Sequence, residues 1–283
     1  MPDAPPLATS RRHGGPAAVR PALERVVVRA NERIAEGVGL LVLRAPKTAS
    51  TIRPGQFVHL RIAEGRDFIL RRPFSVHRAT DEDIEILYQV LGMGTHALAR
   101  AARGDEMDVL APLGTGWDCA DGPTHALLVA GGLGAAPLGM LAEVLAEKGV
   151  ALTVVQGAPT VERLVARELF EALARRYEVA TDDGTAGERG FVTLLSERAL
   201  AQGDVDRVYA CGPEAMSRIV ATQAASRGVS CQVSLERFMA CGIGACLSCV
   251  CATTGGRLRA CLDGPVFDAD IVLWDEREIP PRH

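Results

Sequence analysis

The sequence predicts a β-barrel domain, an α/β doubly wound domain and a small C-terminal segment rich in cysteine. Short apolar strands lie close together over residues 24–115, and strands alternate with helices from Thr124 onward. Five of the eight cysteines fall between Cys241 and Cys261. The first pattern is typical of small barrels and sandwiches, and the second of parallel sheets covered by helices. The expected parts are a tail (1–22), a barrel (23–118), an α/β domain (119–233) and a cysteine segment (234–283).

Composition narrows the function classes. The 283 residues carry a net charge of -4, and no basic patch of a nucleic-acid-binding protein is evident. No apolar run reaches the ~18 residues of a membrane span. The tail is rich in Pro, Ala and Arg, so we expect it to be disordered, with a transit peptide as the alternative. Clustered cysteines without a secretory signal favour a reducing, cytoplasmic compartment.

Barrel strands are expected where β-branched and other apolar residues lie between Gly, Pro and Asp turns. They are Arg25–Arg29, Gly39–Arg44, Phe57–Ile62, Phe74–His77 and Ile84–Val90. One helix is expected over Thr95–Ala102, and residues 114–123 are expected to link the two domains.

The α/β domain is expected to alternate regularly between strands and helices. Its strands are His125–Ala130, Ala151–Gln156, Tyr177–Thr181, Asp206–Ala210 and Ser230–Val233. Its helices are one running to Lys148, then Val161–Arg175, Val192–Ala199 and Pro213–Arg227. This spacing indicates a sheet that binds ligands at the carboxyl ends of its strands.

Two loops at such strand ends favour a dinucleotide. Gly131, Gly132 and Gly134 follow one strand and open a helix, so their backbone can approach a pyrophosphate. Cys211, Gly212 and Pro213 occupy the same position after a later strand. A plain tight turn between strand and helix is the alternative.

The cysteine segment carries the most specific motif. Its spacing, Cys241-x4-Cys246-x2-Cys249 followed by Cys261, matches the plant-type two-iron arrangement. Backbone amides of residues 242–245 can turn toward the sulfurs, and glycines permit the positive φ that such wrapping requires. Eleven residues separate Cys249 from Cys261, which argues against a free-standing ferredoxin domain.

Other uses of these thiols stay open. A structural zinc takes four cysteines but usually pairs them as C-x2-4-C twice, and disulfides suit a secreted chain. Simple burial accounts for Cys119, Cys211 and Cys231. Cys251 follows Cys249 by two residues on an expected strand and is a possible substitute ligand. Cys261 is preferred because a distant fourth ligand closes the loop.

A flavin site is suggested within the barrel. Arg72, Pro73, Phe74 and Ser75 alternate so that the guanidinium can pair with a pyrophosphate and the hydroxyl can reach the flavin ring. Leu87, Tyr88 and Gln89 are followed by Gly94 and Thr95 at a helix start, where amides bind anions. An ordinary surface-to-core strand and an ordinary Thr cap are the alternatives.

Together these motifs resemble the ferredoxin reductase superfamily over roughly residues 24–265. They are Pro54-Gly55-Gln56-Phe57, Arg72-Pro73-Phe74-Ser75, Gly94-Thr95, the 131–137 glycine turn, Thr181-Asp182-Asp183-Gly184 and Cys211-Gly212-Pro213. The run from Met239 to Cys249 and the ending Cys261-Leu262-Asp263-Gly264-Pro265-Val266-Phe267 resemble the electron-transfer subunits of class 1B dihydroorotate dehydrogenases.

That resemblance implies a flavin-binding barrel, a nucleotide-binding α/β domain and a C-terminal iron–sulfur loop. It implies FAD at Arg72–Ser75, Leu87–Gln89 and Gly94–Thr95, and a [2Fe-2S] cluster on Cys241, Cys246, Cys249 and Cys261. It further implies NAD as acceptor, and a partner catalytic subunit that carries FMN and oxidises dihydroorotate, in a heterotetramer that serves pyrimidine biosynthesis. The extra thiol Cys251 and the long tail depart from the family pattern.

Three other functions are compatible with the motifs. A sulfhydrogenase γ subunit and the FAD subunit of a ferredoxin:NADP reductase are similar in sequence, and a zinc-stapled, non-catalytic flavin- or NADH-binding module differs in class. NADH is favoured over NADPH on resemblance alone, although Arg163 follows a strand at a position where an arginine could bind a 2′-phosphate. No acid–base residue is required, so His59, His77 and His96 are expected to serve structure or surface.

Overall fold

The computed structural model describes residues 20–62, 69–119 and 122–274, and the expected tail lies almost entirely outside them. The first domain is a seven-stranded antiparallel sheet in the order β4-β3-β7-β1-β2-β6-β5. Its strands are β1 (Ala22–Ala35), β2 (Val38–Arg44), β3 (Phe57–Arg61), β4 (Arg72–Ser75), β5 (Arg78–Ala79), β6 (Asp83–Gln89) and β7 (Glu106–Leu113). Two short helices, α1 (Pro46–Ala49) and α2 (Met93–Leu98), join them.

This sheet curls into the expected barrel. Phe74 on β4 packs edge-to-face on Tyr88 of β6, with ring centroids 6.4 Å apart, although four strands separate β4 from β6 in the sheet order. Val58 and Leu60 of β3 point inward to the barrel core, whereas Phe57 points outward to the second domain. The two faces of β3 therefore serve different parts of the molecule.

Two elements of this domain differ from expectation. Strand β7 was not anticipated, although Met107, Val109 and Ala111 are buried at alternate positions. Helix α2 is shorter than expected, because it starts at Met93 and ends at Leu98.

The second domain is a sheet in the order β11-β10-β9-β8-β12-β13-β16, parallel except for β16 (Val266–Asp268). Its strands are β8 (His125–Gly131), β9 (Ala151–Ala158), β10 (Arg176–Thr181), β11 (Glu188–Arg189), β12 (Arg207–Cys211) and β13 (Ser230–Ser234). Helices α3 (Ala136–Glu147), α4 (Arg167–Leu173), α5 (Thr193–Leu200) and α6 (Glu214–Ala225) cover it. Buried apolar runs such as Ala126–Ala130 are typical of strands covered on both faces.

The expected continuous helix over Val161–Arg175 is wrong. A 3-10 turn over Val161–Arg163 is followed by extended backbone at Leu164, and α4 starts only at Arg167. The buried Gln156 side chain donates a 2.9 Å hydrogen bond to the Val165 carbonyl, and Ala166 adopts a left-handed φ of 58°. A tertiary hydrogen bond thus interrupts the helix.

The C-terminal segment docks on both domains. Strands β14 (Val250–Thr253) and β15 (Gly256–Arg259) form a hairpin that spans the short gap between Cys249 and Cys261. Strand β16 (Val266–Asp268) then adds to β13 at the edge of the α/β sheet. Cys249 and Cys261 share a core with Phe57 and Leu113 of the barrel. Apolar packing and strand pairing therefore help to hold this segment in place, in addition to its thiols.

Across the part of the chain that the structure describes, no helix is long and apolar enough to cross a lipid bilayer.

Candidate functional site

The loop over residues 241–249 turns its backbone amides toward cysteine sulfurs, as expected. Cys241 Sγ accepts hydrogen bonds from the amides of Ile243 (3.5 Å), Ala245 (3.3 Å) and Cys246 (3.4 Å). Cys261 Sγ accepts one from Gly244 at 3.1 Å, and Cys249 Sγ one from Cys261 at 3.4 Å. Such donors stabilise negative charge on thiolates.

The four motif cysteines lie in two pairs. Cys246 hydrogen-bonds Cys241, and Cys249 hydrogen-bonds Cys261. Hydrogen bonds from Ser248 lower the pKa of Cys246 to about 6. The Cys261 thiol donates a hydrogen bond to the Cys249 sulfur. This bond lowers the pKa of Cys249 to about 6 and raises the pKa of Cys261. Each pair thus offers at least one thiolate near neutral pH.

The loop fits a two-iron cluster in donor set and in shape. Each iron of such a cluster takes two protein thiolates, which matches the two pairs. Gly242 (φ 71°) and Gly244 (φ 80°) hold left-handed conformations that curl the amides inward. A structural zinc would gather all four thiolates around one ion. Among the described residues, no three His, Cys, Asp or Glu side chains are grouped for a single metal ion.

Of the remaining cysteines, Cys211 and Cys251 are buried, and Cys119 and Cys231 are half-buried. Cys251 is buried on β14, opposite Leu258, within the core shared with the barrel. Burial raises the pKa of Cys119 to about 11 and those of Cys211 and Cys231 to about 12. These three thiols are therefore neutral near pH 7, as simple buried cysteines should be.

The expected flavin residues lie on β4, on β6 and at the start of α2. Gly94 is so close to Arg72 that an added Cβ would lie 3.3 Å from Arg72 Nε. This guanidinium therefore sits beside the first turn of α2, where a pyrophosphate would find both positive charge and free amides. The Thr95 hydroxyl accepts hydrogen bonds from the amides of Leu91 (2.9 Å) and Gly92 (3.2 Å), so it caps its own helix.

The other flavin candidates surround the β3–β4 corner, where Arg72 of β4 meets the first turn of α2. Pro73 and Ser75 pair with His59 and Phe57 on β3, on the face toward the cysteine segment. Tyr88 donates a 2.8 Å hydrogen bond to Asn31, and Phe74 packs on its ring. Leu87 is buried in the core of the α/β domain, and Gln89 ends β6 half-buried.

His59 lies between this corner and the cysteine loop. Its side chain is 1% exposed, and a Cβ on Gly242 would lie 2.6 Å from its Nδ1 atom. Burial, with the charges of Arg71 and Arg72, lowers its pKa to about 4, and the nearby Cys241 backbone partly opposes this. The sequence carried no signal for this position, because the contact joins residues far apart in the chain.

The two expected dinucleotide loops touch each other. A Cβ on Gly134 would overlap the Cys211 carbonyl, and one on Gly212 would lie 2.8 Å from Gly131 Cα. Gly132 has a left-handed φ of 55°. The two loops follow β8 and β12, which are neighbours in the sheet. The next strand after β8 in the chain, β9, lies on the opposite side of β8, so the strand order reverses here. This is the switch point where open α/β sheets bind ligands.

The fold and the site together define an oxidoreductase of the ferredoxin reductase class. Family models match residues 128–222 as an oxidoreductase NAD-binding domain and 236–273 as the iron–sulfur cluster binding domain of dihydroorotate dehydrogenase B. The electron transfer subunit of dihydroorotate dehydrogenase B (NAD(+)) from Geobacillus kaustophilus is 40% identical over 257 residues, 88% of this chain and 98% of that protein. The chain belongs to this family of electron transfer subunits.

Further relatives agree with this assignment. The same subunit from Fusobacterium nucleatum is 34% identical over 258 residues, 88% of this chain and 98% of that one. The solved structure of an NADH-dependent reduced ferredoxin-NADP oxidoreductase is 32% identical, with a TM-score of 0.82 over 93% of this chain and 92% of that one. A ferredoxin NADP+ reductase from Neisseria gonorrhoeae (16% identical, TM-score 0.62, 73% of this chain and 92% of that one) shares the fold. The expected family, fold class and oxidoreductase role are confirmed.

Proposed function

We propose that this chain passes electrons from the FMN of a dihydroorotate dehydrogenase catalytic subunit, through a [2Fe-2S] cluster and FAD, to NAD+. The two amide-lined cysteine pairs, docked against the strand that adjoins the flavin motif, carry this proposal. Its role in pyrimidine biosynthesis follows from the family. The clustered thiols support a reducing, cytoplasmic setting.

The chain's own residues bind and orient the groups. Bound FAD exchanges two electrons with a nicotinamide and single electrons with a cluster, so it links the two. Cys241, Cys246, Cys249 and Cys261 hold the cluster, and the amides of residues 243–246 offset its negative charge. Arg72 and the first turn of α2 bind the FAD pyrophosphate. The two glycine loops let NAD approach the sheet edge closely.

The catalytic partner is proposed to cover the exposed side of the cysteine loop. Phe238, Ile243, Leu247 and Leu262 surround this side and are 72%, 52%, 45% and 47% exposed. Cys246, a proposed ligand, is exposed among them. Apolar residues clustered on a surface typically mark a protein interface. A heterotetramer of two such pairs is the proposed assembly.

NAD+ is proposed as the acceptor in preference to NADP+. Glu162 and Asp183 follow β9 and β10, and the negative charge of Asp183 acts on the Glu162 carboxylate. The Arg163 guanidinium lies beside Gly37 in the β1–β2 turn of the barrel, where a Cβ added to Gly37 would be 4.0 Å from Arg163 Nη1. Negative charge at this sheet edge disfavours a 2′-phosphate.

A subunit of a ferredoxin–NADP oxidoreductase is the second candidate, favoured by the 32% identical solved structure. The relatives at 40% identity favour the first. Assays with dihydroorotate plus the catalytic subunit, and with reduced ferredoxin, separate the two functions.

The Cys246→Ser variant tests the cluster assignment. We expect iron, acid-labile sulfide and long-wavelength visible absorbance to fall several-fold, because one iron loses a thiolate. FAD should stay bound, because the flavin residues lie on other strands. The measurements are iron, sulfide and flavin counts on protein purified without oxygen.

Cys251→Ser is the matched control, since it removes a nearby thiol from the same segment. It should keep full iron and sulfide. A wild-type protein without sulfide would refute the proposed function, and normal iron in Cys246→Ser would refute the ligand assignment.

A further inference from the structure

His59 is a buried polar residue with an unusual lack of partners. Neither ring nitrogen makes a hydrogen bond within the described part of the chain, although the ring is almost fully buried. Leaving a buried donor and acceptor unpaired is unfavourable, and such groups are rare unless they serve a function. The ring therefore calls for a partner that the described residues do not supply.

The position of His59 indicates what that partner is. Its backbone lies on β3, paired with Pro73 of the flavin motif on β4. Its ring lies against Gly242, which follows the proposed ligand Cys241. The Cys241 backbone acts on the ring but makes no hydrogen bond of ordinary geometry with it. The ring thus lies between the flavin strands and the cluster loop.

The loop is shaped to admit this ring. A side chain at position 242 would collide with His59 Nδ1 at 2.6 Å, and the left-handed φ of 71° independently favours glycine there. Close approach of the imidazole to the loop backbone is therefore part of how the cluster segment docks on the barrel.

We propose that His59 is a positioning residue for electron transfer, donating its ring N–H to the Cys241 side of the bound cluster and fixing that loop against the flavin strands. This inference rests on the proposed [2Fe-2S] cluster. A bound cluster and flavin would supply the one-electron exchange. His59 keeps its proton, and no bond to it forms or breaks.

His77 provides a matched comparison. It is also a buried barrel histidine that contacts a second domain, but its Nδ1 atom is already 3.0 Å from the Ala136 carbonyl, and Gly139 of α3 packs on its ring. His77 is therefore satisfied by the protein, whereas His59 is not.

The test compares His59→Leu, His59→Asn and His77→Leu as whole chains purified without oxygen. A donor to the cluster favours its reduced, more negative state. We therefore expect His59→Leu to lower the cluster midpoint potential by about 59 mV, the equivalent of a tenfold shift in a one-electron equilibrium. His59→Asn keeps an N–H near the Nδ1 position and should restore most of this shift. His77→Leu should leave the potential unchanged.

A direct measurement on the wild-type protein covers the case in which His59→Leu does not fold. With ¹⁵N-labelled histidine, pulsed EPR of the reduced cluster should show a histidine nitrogen coupled to it. Absence of this coupling, an unchanged potential in His59→Leu, or no recovery in His59→Asn would each overturn the inference. A wild-type protein that lacks iron and sulfide would instead overturn the proposed function.

Discussion

At the scale of single residues, the motif cysteines and glycines depend on the backbone around them. Backbone amides face the cysteine sulfurs, and the glycines allow close backbone contacts. The spacing from Cys241 to Cys261 predicted both the thiols and the inward-facing amides, because ligand number and loop length are local properties of the sequence. The strand–turn–helix pattern predicted that the glycine turn lets backbone approach a dinucleotide closely. It did not predict that Gly134 packs against the Cys211 carbonyl. His59 was assigned to structure, because its significance arises only from a long-range contact.

Arg72 provides a prediction at this scale. The Arg72→Ala variant should weaken FAD binding by about tenfold to a hundredfold, because a charged hydrogen bond contributes about 1.5–3 kcal/mol. Flavin retention after gel filtration and titration of the apoprotein with FAD measure the effect.

Arg78→Ala is the matched control for Arg72. Arg78 lies on β5 and pairs with Glu143 of α3 at 2.6 Å, away from Gly94. Equal FAD affinity in the two variants would contradict the placement of Arg72 at the pyrophosphate.

At the scale of elements, the regular strands and helices were predictable, and those that depend on distant partners were not. β8 and β12 each present a continuous apolar stretch, and β9 presents an apolar stretch interrupted by Thr153, which is sufficient to identify a buried strand. β16 has only three residues, and it is a strand because β13 offers it an open edge. The break before α4 depends on the Gln156 side chain, which no local pattern reveals.

Phe267 on β16 provides the prediction for this scale. Its side chain is 4% exposed and packs in the core that contains Cys249 and Cys261. Phe267→Ala should lower the free energy of unfolding by about 3–5 kcal/mol, the usual loss for a buried Phe. Urea unfolding followed by circular dichroism measures this loss.

Ile219→Ala on α6 serves as the control for Phe267, because that side chain is 46% exposed. It should change the unfolding midpoint little. Faster iron release to a chelator in Phe267→Ala than in the control would show that β16 anchors the cysteine segment. Equal release would contradict that role.

At the scale of the whole molecule, the order of sites runs from the cysteine loop through the β3–β4 corner to the glycine loops of the α/β sheet. The three-part architecture was evident from the sequence, because strand spacing, βα alternation and clustered cysteines each mark one part. How the parts dock was not evident, because β3 uses one face for the barrel and the other for its neighbours.

The proposed partner surface yields the prediction at this scale. Phe238→Glu should abolish stable association with the catalytic subunit while iron, sulfide and FAD stay at wild-type levels, because a charge replaces an exposed apolar contact. Phe191→Glu is a matched control, since the two phenylalanines are 72% and 71% exposed. Analytical ultracentrifugation of the mixed subunits reads out association. Normal association of Phe238→Glu would exclude this surface.

The two thiol pairs differ in their access to water. Cys246 is exposed and Cys241 is half-buried, whereas Cys249 and Cys261 are only 2% and 1% exposed. If the proposed cluster is bound, dissolved oxygen or a chelator would therefore reach Cys241 and Cys246 before Cys249 and Cys261. Bleaching of an isolated sample in air should proceed stepwise, and a bound catalytic subunit, acting as a cap, should slow its first step.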